Sequence, residues 1–511
     1  MDRPICGDDN ERGTKRKYAG DEHNARDSNK LLTLDGCSIS PIVKPESRDD
    51  DYYKALYMEE EPDFRLLGQR DSEFKDVLEH GSHLDFGNPK SVMQLTKTLL
   101  KLDFSLLVDL PIDRLCPPVP NRHNYILWLK ELIDSTSPLH SHSVEPIRQV
   151  TGLDIGTGAS LIYPLLGCAQ RSSWSFIATD VDPKSLAYAR RNAKLNNMGH
   201  RIRVVGRAMT DCLIPLAELN LETIDFTMVN PPFYTSDAEL INLAAQKSRP
   251  PNSACTGAPI EMVCAGGEVG FVQRIIDESL VLRERVQWYT AMLGKQSSLE
   301  VLIDVLKRHG VTNYAVTAFV QGNKTRRWAI GWSFQSRRPS LSASRGCEPS
   351  AGKKILPFPT EATIASWPIS QYKSGQLERV VCDTMDNIDL ASWIWDSTHS
   401  RGIGFAGGNV WSRAYRRERA REKEKGTDVE NLYGKEDTNI KTTSSHRLNN
   451  WQTTEHGFDH YAFGFSLTVQ VSKSMRNHED HGVIIARWLQ GDDHALFESF
   501  TGLLRKSMRL R

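Results

Sequence analysis

None of the nine cysteines forms a CxxC pair, which removes a zinc knuckle and a disulfide-stapled secreted scaffold and fits reduced, intracellular thiols. No net charge remains, because 64 Lys and Arg balance 64 Asp and Glu; any surface for nucleic acid must therefore be local. No run is long and apolar enough to span a bilayer, and the N-terminus carries no apolar leader core, so neither a membrane partner nor secretion is expected. His140 and His142 share a loop without cysteines or carboxylates beside them, so no metal is expected. No internal repeat occurs. What is present is a 511-residue chain, long enough for two or three folded units, with 39% hydrophobic residues to fill their cores.

Residues 1–50 are polar and aperiodic and read as a disordered tail. Within them Lys15-Arg16-Lys17 reads either as a nuclear import signal or as a solvated charge cluster. Residues 51–146 form a helical module. Asn88-Pro89 opens one of its helices, with Val92, Leu95, Leu99 and Leu100 on one face. Over residues 147–336 strands and helices alternate, which predicts α/β architecture with a parallel sheet. Strands are expected at 149–154, 175–179, 204–205, 224–229 and 286–293, with a hairpin-like pair at 314–320 and 328–334. A helix is expected near Ala159, and another capped by Asp182 with Pro183 in its first turn. Residues 337–353, rich in Ser, Arg, Pro and Gly, read as a linker, and 354–511 as a smaller α+β region with a disordered insert near 426–450.

The first strand runs into Asp154-Ile155-Gly156-Thr157-Gly158-Ala159-Ser160. Glycines at a strand-to-helix turn let a ligand approach the backbone, and the helix start offers unpaired N–H groups. A dinucleotide fingerprint wants a third glycine where Leu161 stands. An acid two residues before the first glycine points instead to S-adenosyl-L-methionine, whose ammonium needs an acidic or carbonyl partner. Asp180 ends the second strand, where a carboxylate can accept from both ribose hydroxyls; capping of the next helix is the alternative.

The fourth strand runs into Asn230-Pro231-Pro232-Phe233. In open parallel sheets ligands bind beyond the carboxyl ends of strands, so this tetrapeptide faces the cofactor cleft. An aromatic amino nitrogen is a poor nucleophile because its lone pair is delocalised into the ring. The Asn230 carboxamide oxygen and the Pro231 carbonyl can accept its two N–H bonds and aim the lone pair at a sulfonium methyl. The prolines fix the carbonyl directions, and Phe233 can stack on a base at about 1–3 kcal/mol.

These residues resemble the methyltransferase-like protein 16 family, RNA adenine-N6 methyltransferases of U6 small nuclear RNA, related to bacterial 23S rRNA adenine-N6 methyltransferases. The resemblance covers about residues 62–334. It rests on DIGTGASLIYPLLG from Asp154, NPPF from Asn230, AGGE from Ala265, WYTAMLGK from Trp288, RRWAIGWSF from Arg326 and VPNRHNYILW from Val119. It implies a class I (Rossmann-like) methyltransferase domain with an N-terminal helical module, a basic groove between them, and an extruded adenine in an ACAGA-type RNA site. It also implies a nuclear location, with the cytoplasm as the alternative. An arginine near the methionine end of the cofactor maps to Arg122. The expected cofactor contacts are Arg122, Asp154, Gly156, Gly158, Ser160, Asp180, Thr210 and Asn230. The expected RNA contacts are Arg249, Lys295, Arg326 and Arg327. Three departures stand out: Asp180 replaces a glutamate, acidic residues crowd the start of the helical module, and Gly206 to Asp211 lacks the family's basic loop.

Three further readings concern the RNA side. The long loop holding Arg249-Pro250-Pro251-Asn252 is read as a substrate gate. The segment SRAYRRERAREKEK from Ser412 reads either as a single-strand RNA contact using its arginines and Tyr415, or as a solvated helix. Competing functions are a protein glutamine N-methyltransferase, opposed by Phe233 where that motif has tyrosine, and a noncatalytic RNA-binding protein, opposed by the intact Asn230 and Gly158.

Overall fold

The computed structural model describes residues 48–57, 62–139, 148–236, 257–321, 325–347, 355–368, 370, 375–430, 461–472 and 480–508. Lys15-Arg16-Lys17, His140, His142, Arg249 and most of the insert near 426–450 lie outside them.

The chain opens with short helices α1 (Asp50–Ala55), α2 (Phe64–Arg70) and α3 (Ser72–Lys75). Two longer ones follow, α4 (Pro89–Phe104) and α5 (Val119–Ser135). Asn88 caps α4 as its sequence predicts, its side chain accepting from Lys90 N. The central sheet then builds from β1 (Val150–Ile155), β2 (Trp174–Asp180), β3 (Ile202–Gly206), β4 (Ile224–Val229), β5 (Val286–Leu293), β6 (Tyr314–Gln321) and β7 (Thr325–Trp332). Its spatial order is β6-β7-β5-β4-β1-β2-β3, with Arg345–Gly346 added beside β6. Strands β3, β2, β1, β4 and β5 are parallel; β7 runs antiparallel between β5 and β6. Between them run α6 (Ile162–Gln170), α7 (Pro183–Leu195), α8 (Gly267–Leu282) and α9 (Gln296–Arg308). Asp182 caps α7 by accepting from Lys184 N and Ser185 N, as expected. The helix expected near Ala159 starts only at Ile162. Leu161, wholly buried, takes a left-handed turn (φ 54°) and delays the helix.

Two expected boundaries shift. The loop beyond 135 does not separate the helical module from the sheet, because α5 is buried nearly all round. Tyr125 Oη lies 2.8 Å from Thr290 Oγ1 of β5, and Trp128 Nε1 donates to Ala343 O at 2.8 Å. Nor are residues 337–347 a spacer. Ala343 and Cys347 are buried, and Arg345–Gly346 extends the sheet.

A second sheet, all antiparallel, follows. Its strands are β8 (Glu361–Pro368), β9 (Ser392–Asp396), β10 (Arg401–Ala406), β11 (Phe463–Ser472) and β12 (His481–Gln490), in the order β8-β12-β11-β10-β9. Helices α10 (Gln376–Asp386), α11 (Arg413–Glu430) and α12 (His494–Ser507) belong to the same region. Helix α12 packs one face inward: Phe497, Phe500, Leu504 and the capping Met508 are buried. The sheets meet through Arg338. It is 4% exposed, lies 4.3 Å over the Trp488 ring and donates from Nε to Gly491 O at 2.8 Å.

Candidate active site

Strand register brings the motifs together. Ile155 pairs with Thr179 on one side and Val229 on the other. The next residue of each strand is therefore Gly156, Asp180 and Asn230, side by side at the carboxyl edge. Order reverses at β1, whose neighbours lead away in opposite directions, so a crevice opens there.

Gly156 (φ 70°) and Gly158 (φ 65°) hold the left-handed conformation that a side chain would strain. Two bonds pin their turn: Thr157 N donates to Thr179 O at 2.9 Å, and Gly158 N to Asp180 Oδ2 at 2.8 Å. Asp180 Oδ1 accepts from Asp182 N at 2.9 Å. Asp180 therefore shapes the glycine turn as well as facing the cavity, while capping of α7 falls to Asp182 alone. Burial pushes the Asp180 carboxyl above its usual range, against the pull of these backbone donors.

One cavity is lined by Arg122, Gly156, Gly158, Ser160, Asp180, Asn230 and Pro232 among the expected residues. Met209 and Asp211 line it, whereas Thr210 between them does not. Pro231 and Phe233 stand outside its wall, as do Lys295, Arg326 and Arg327.

Asp154 also lies behind that wall, a correction to its expected place in it. Its carboxyl is 1% exposed, because β1 carries it between β2 and β4, and burial pushes it up to about 7. The Thr157 hydroxyl and the Arg122 charge favour its ionised form, against the larger effect of burial. An acid at this place, beside a glycine turn, favours the ammonium of an amino-acid ligand by its charge.

Arg122 enters from α5 and is 6% exposed. Its Nη1 donates to Asn230 Oδ1 at 3.1 Å, and the guanidinium lies 5.6 Å over the Tyr163 ring. No carboxylate forms an ion pair with it among the described residues. A buried guanidinium of this kind suits the carboxylate of the same ligand.

Behind the reaction motif the AGGE signature has a mechanical role. Buried Glu268 accepts from Gly294 N at 2.6 Å and Lys295 N at 3.2 Å, holding the end of β5. A Cβ on Gly294 would stand 3.0 Å from Phe233 Cδ1, and one on Gly267 3.1 Å from Phe233 O. Glycine at both positions lets the backbone seat Phe233. Arg327 is half-buried, its guanidinium 5.8 Å from the Phe233 ring centroid, so it supports that ring. Arg326 and Lys295 are exposed.

Sequence reasoning missed the return of the long loop. Tyr234 N donates to Met262 O and Cys264 N to Tyr234 O, both at 3.0 Å, so residues 257–264 form a strap across the reaction motif. Ile260 and Glu261 of that strap line the cavity, with Leu115 from the segment before α5. The signal available was thin: one Pro-Ile-Glu triplet after a long polar loop.

Residues Arg413 to Glu422 form the first part of α11, exposed except at half-buried Tyr415. Tyr415 Oη donates to Asp389 at 2.6 Å, and Arg419 pairs with the same carboxylate at 2.9 Å. These two residues serve the fold, which leaves Arg413, Arg416, Arg417 and Arg421 exposed.

A family profile described as RNA methyltransferase matches residues 53–336. The U6 small nuclear RNA (adenine-(43)-N(6))-methyltransferase of Schizosaccharomyces pombe is 40% identical over 304 residues, 60% of this chain and 75% of its own. The Homo sapiens RNA N(6)-adenosine-methyltransferase METTL16 is 41% identical over 285 residues, 54% of this chain and 49% of its own. The chain thus spans three quarters of the yeast relative and about half of the human one. The hMettl16 catalytic domain, solved in complex with MAT2A 3'UTR hairpin 1, is 39% identical over 55% of this chain and 94% of that one, with a TM-score of 0.49.

Proposed function

The chain belongs to the RNA methyltransferase family whose profile spans residues 53–336, and from that premise we propose that it methylates the N6 nitrogen of an adenine in RNA, using S-adenosyl-L-methionine. The observation that carries this reading is the register of Ile155 with Val229, which sets Asn230 beside the glycine turn in one cavity. When bound, the cofactor supplies an activated methyl group on a sulfonium, so no metal and no strong base are required. Arg122 takes the carboxylate of the amino-acid end, and Asp154, behind the cavity wall, favours its ammonium by charge alone. Asp180 takes a ribose hydroxyl. Asn230 Oδ1 and the Pro231 carbonyl accept the two N–H bonds of the adenine amino group, which pyramidalises the nitrogen and directs its lone pair. Phe233, braced by Arg327 and Gly294, stacks on the base. Placement of the two reacting atoms in line does most of the work.

The substrate we propose is U6 small nuclear RNA, as in the name of the yeast relative, and with it a nuclear location. The second sheet with α11 acts as an accessory RNA-binding region, its exposed arginines meeting phosphates. The test is methyl transfer from labelled cofactor to U6 transcripts by the full chain, with digestion to nucleosides. Label in N6-methyladenosine is expected, and lost when the target adenine is replaced by guanine. Label only in protein glutamine, or none, would sink the reading.

A further inference from the structure

The cavity contains, besides Asp180 and Asp211, a carboxylate that none of the sequence motifs carries. Glu261 stands on the short helix Pro259–Met262, inside the strap that follows the reaction motif. Its Oε2 accepts from Ala258 N at 2.8 Å and from Leu115 N at 3.0 Å. Two backbone donors on one oxygen fix the plane of the carboxylate and leave Oε1 for something else. That oxygen lies 3.8 Å from the point a Cβ would occupy on Gly158, the second glycine of the turn. Glu261 and Asp180 line the same cavity, and Asp180 is close enough to oppose the charge on Glu261.

We propose that Glu261 is a second nucleoside-binding residue, whose Oε1 accepts a hydrogen bond from a ribose hydroxyl of the cofactor. This rests on the reading of the cavity as an adenosylmethionine site. Charge selects the ligand group. Of the cations around this cavity, Arg114 pairs with Asp182 at 2.8 Å and with Asp113, Arg207 pairs with Glu218 and Asp211, and Arg274 lies 6.0 Å from the Phe271 ring. Two adjacent carboxylates suit a neutral diol, which donates two O–H bonds. An ammonium has its place at the other end, where Arg122 can take the carboxylate that accompanies it.

The position of Glu261 gives the contact a second consequence. Through Oε2 the same side chain ties the strap to the segment leading into α5. Through Met262 and Tyr234 the strap is bonded to the residues after Phe233. Nucleoside binding and the shape of the base pocket therefore share one side chain.

The experiment is calorimetric binding of S-adenosylhomocysteine and its 2'-deoxy and 3'-deoxy analogues to the full chain and to Glu261→Gln. In the variant the amide oxygen keeps the two backbone donors, so the strap survives, while an NH2 replaces the acceptor at the ribose. Wild-type protein should lose about tenfold or more in affinity on removal of either hydroxyl, as expected for hydrogen bonds to charged groups. Glu261→Gln should bind the parent ligand about tenfold more weakly, and one of the two deoxy penalties should vanish. Unchanged parent affinity overturns the proposal. So does a uniform loss with both deoxy penalties intact, because a strap-only role predicts that pattern. Failure of the wild-type chain to bind S-adenosylhomocysteine would instead overturn the cofactor reading on which the proposal rests.

Discussion

The two large sheets among the described residues end differently. In the first, β1, β2 and β4 run parallel and in register, so their carboxyl ends form a row and Gly156, Asp180 and Asn230 stand in line. In the second, neighbouring strands alternate in direction, so successive connections leave from opposite edges and no such row arises. Its energy goes into an aromatic core instead, with Phe465 and Phe500 ring centroids 4.3 Å apart and Trp411, Phe463 and Phe497 around them. Parallel topology makes a crevice as a by-product of its connections. The antiparallel sheet offers only its surface, and any function there must come from what is displayed on it.

The sharpest break of this comparison is at Asn230. Asn230→Ala should lower single-turnover methyl transfer by at least about a hundredfold, the scale of removing one preorganised polar contact to the reacting group. Cofactor affinity should fall only about a few-fold, since Asp180 and Arg122 stay and only the bond that orients Arg122 is lost. Asn230→Asp should keep measurable activity, because the carboxylate can accept a bond and pair with Arg122, now 3.1 Å from Oδ1. Loss of cofactor binding in the alanine variant would make Asn230 structural.

Next in size is the joint between the sheets. Arg338→Ala removes a buried cation–π contact and the bond to Gly491 O, and should cost about 2–4 kcal/mol in denaturant unfolding of the second region. Cofactor affinity, which belongs to the first sheet, should not move. A chain cut within 348–354 should likewise keep cofactor binding and lose RNA affinity. A cut at Ser412 is a poor substitute, because it removes β11 and β12 from the centre of the second sheet and leaves β8 without a partner.

Asp154 predicts a smaller, pH-dependent effect. Its carboxyl is pushed up to about 7 from an ordinary value of 3.8, so between those values the native state binds a proton that the unfolded state does not. Native stability from this group therefore falls as pH rises through 7. Ligand binding has the opposite sign, because an ammonium requires the ionised form. S-adenosylhomocysteine affinity should drop by up to about tenfold per pH unit below 7 and level off above it. In Asp154→Asn that slope should flatten; an identical slope would place the titrating group elsewhere. The least effect is expected on helix α11, where Arg417→Glu should weaken U6 RNA binding about a few-fold, with a shallower salt dependence, and leave methyl transfer at saturating RNA unchanged.

Much of the first sheet was legible because short-range rules govern it. Asn88 and Asp182 cap helices through bonds within three residues, and the glycine turn and proline motif declare themselves at strand ends. Leu161 broke the helix prediction because its side chain, fully buried, is worth more in the core than the strain of its turn. The Ser, Arg, Pro and Gly content of residues 337–347 suggested a spacer. Composition does not reveal that Trp128 bonds Ala343 or that Arg345 pairs beside β6. That Arg327 and Tyr415 have partners was not legible, because an exposed and an engaged side chain are spelled alike; Phe233 and Asp389 lie far away in sequence.

By itself the sequence determined the alternation of strands and helices, the backbone freedom at Gly156 and Gly158, and the chemistry that Asn230-Pro231-Pro232-Phe233 can offer an amino nitrogen, since each depends on neighbours a few residues apart. Only the tertiary structure decided that Arg122 meets Asn230, that Asp154 sits behind the cavity wall with its charge suppressed, and that Glu261 returns from a distant loop to stand by Gly158. Those outcomes depend on which strands pair, how deeply a carboxylate is buried, and where a long loop closes. Strand pairing and burial are settled by the packing of the whole core at once, and no local stretch of sequence carries that information.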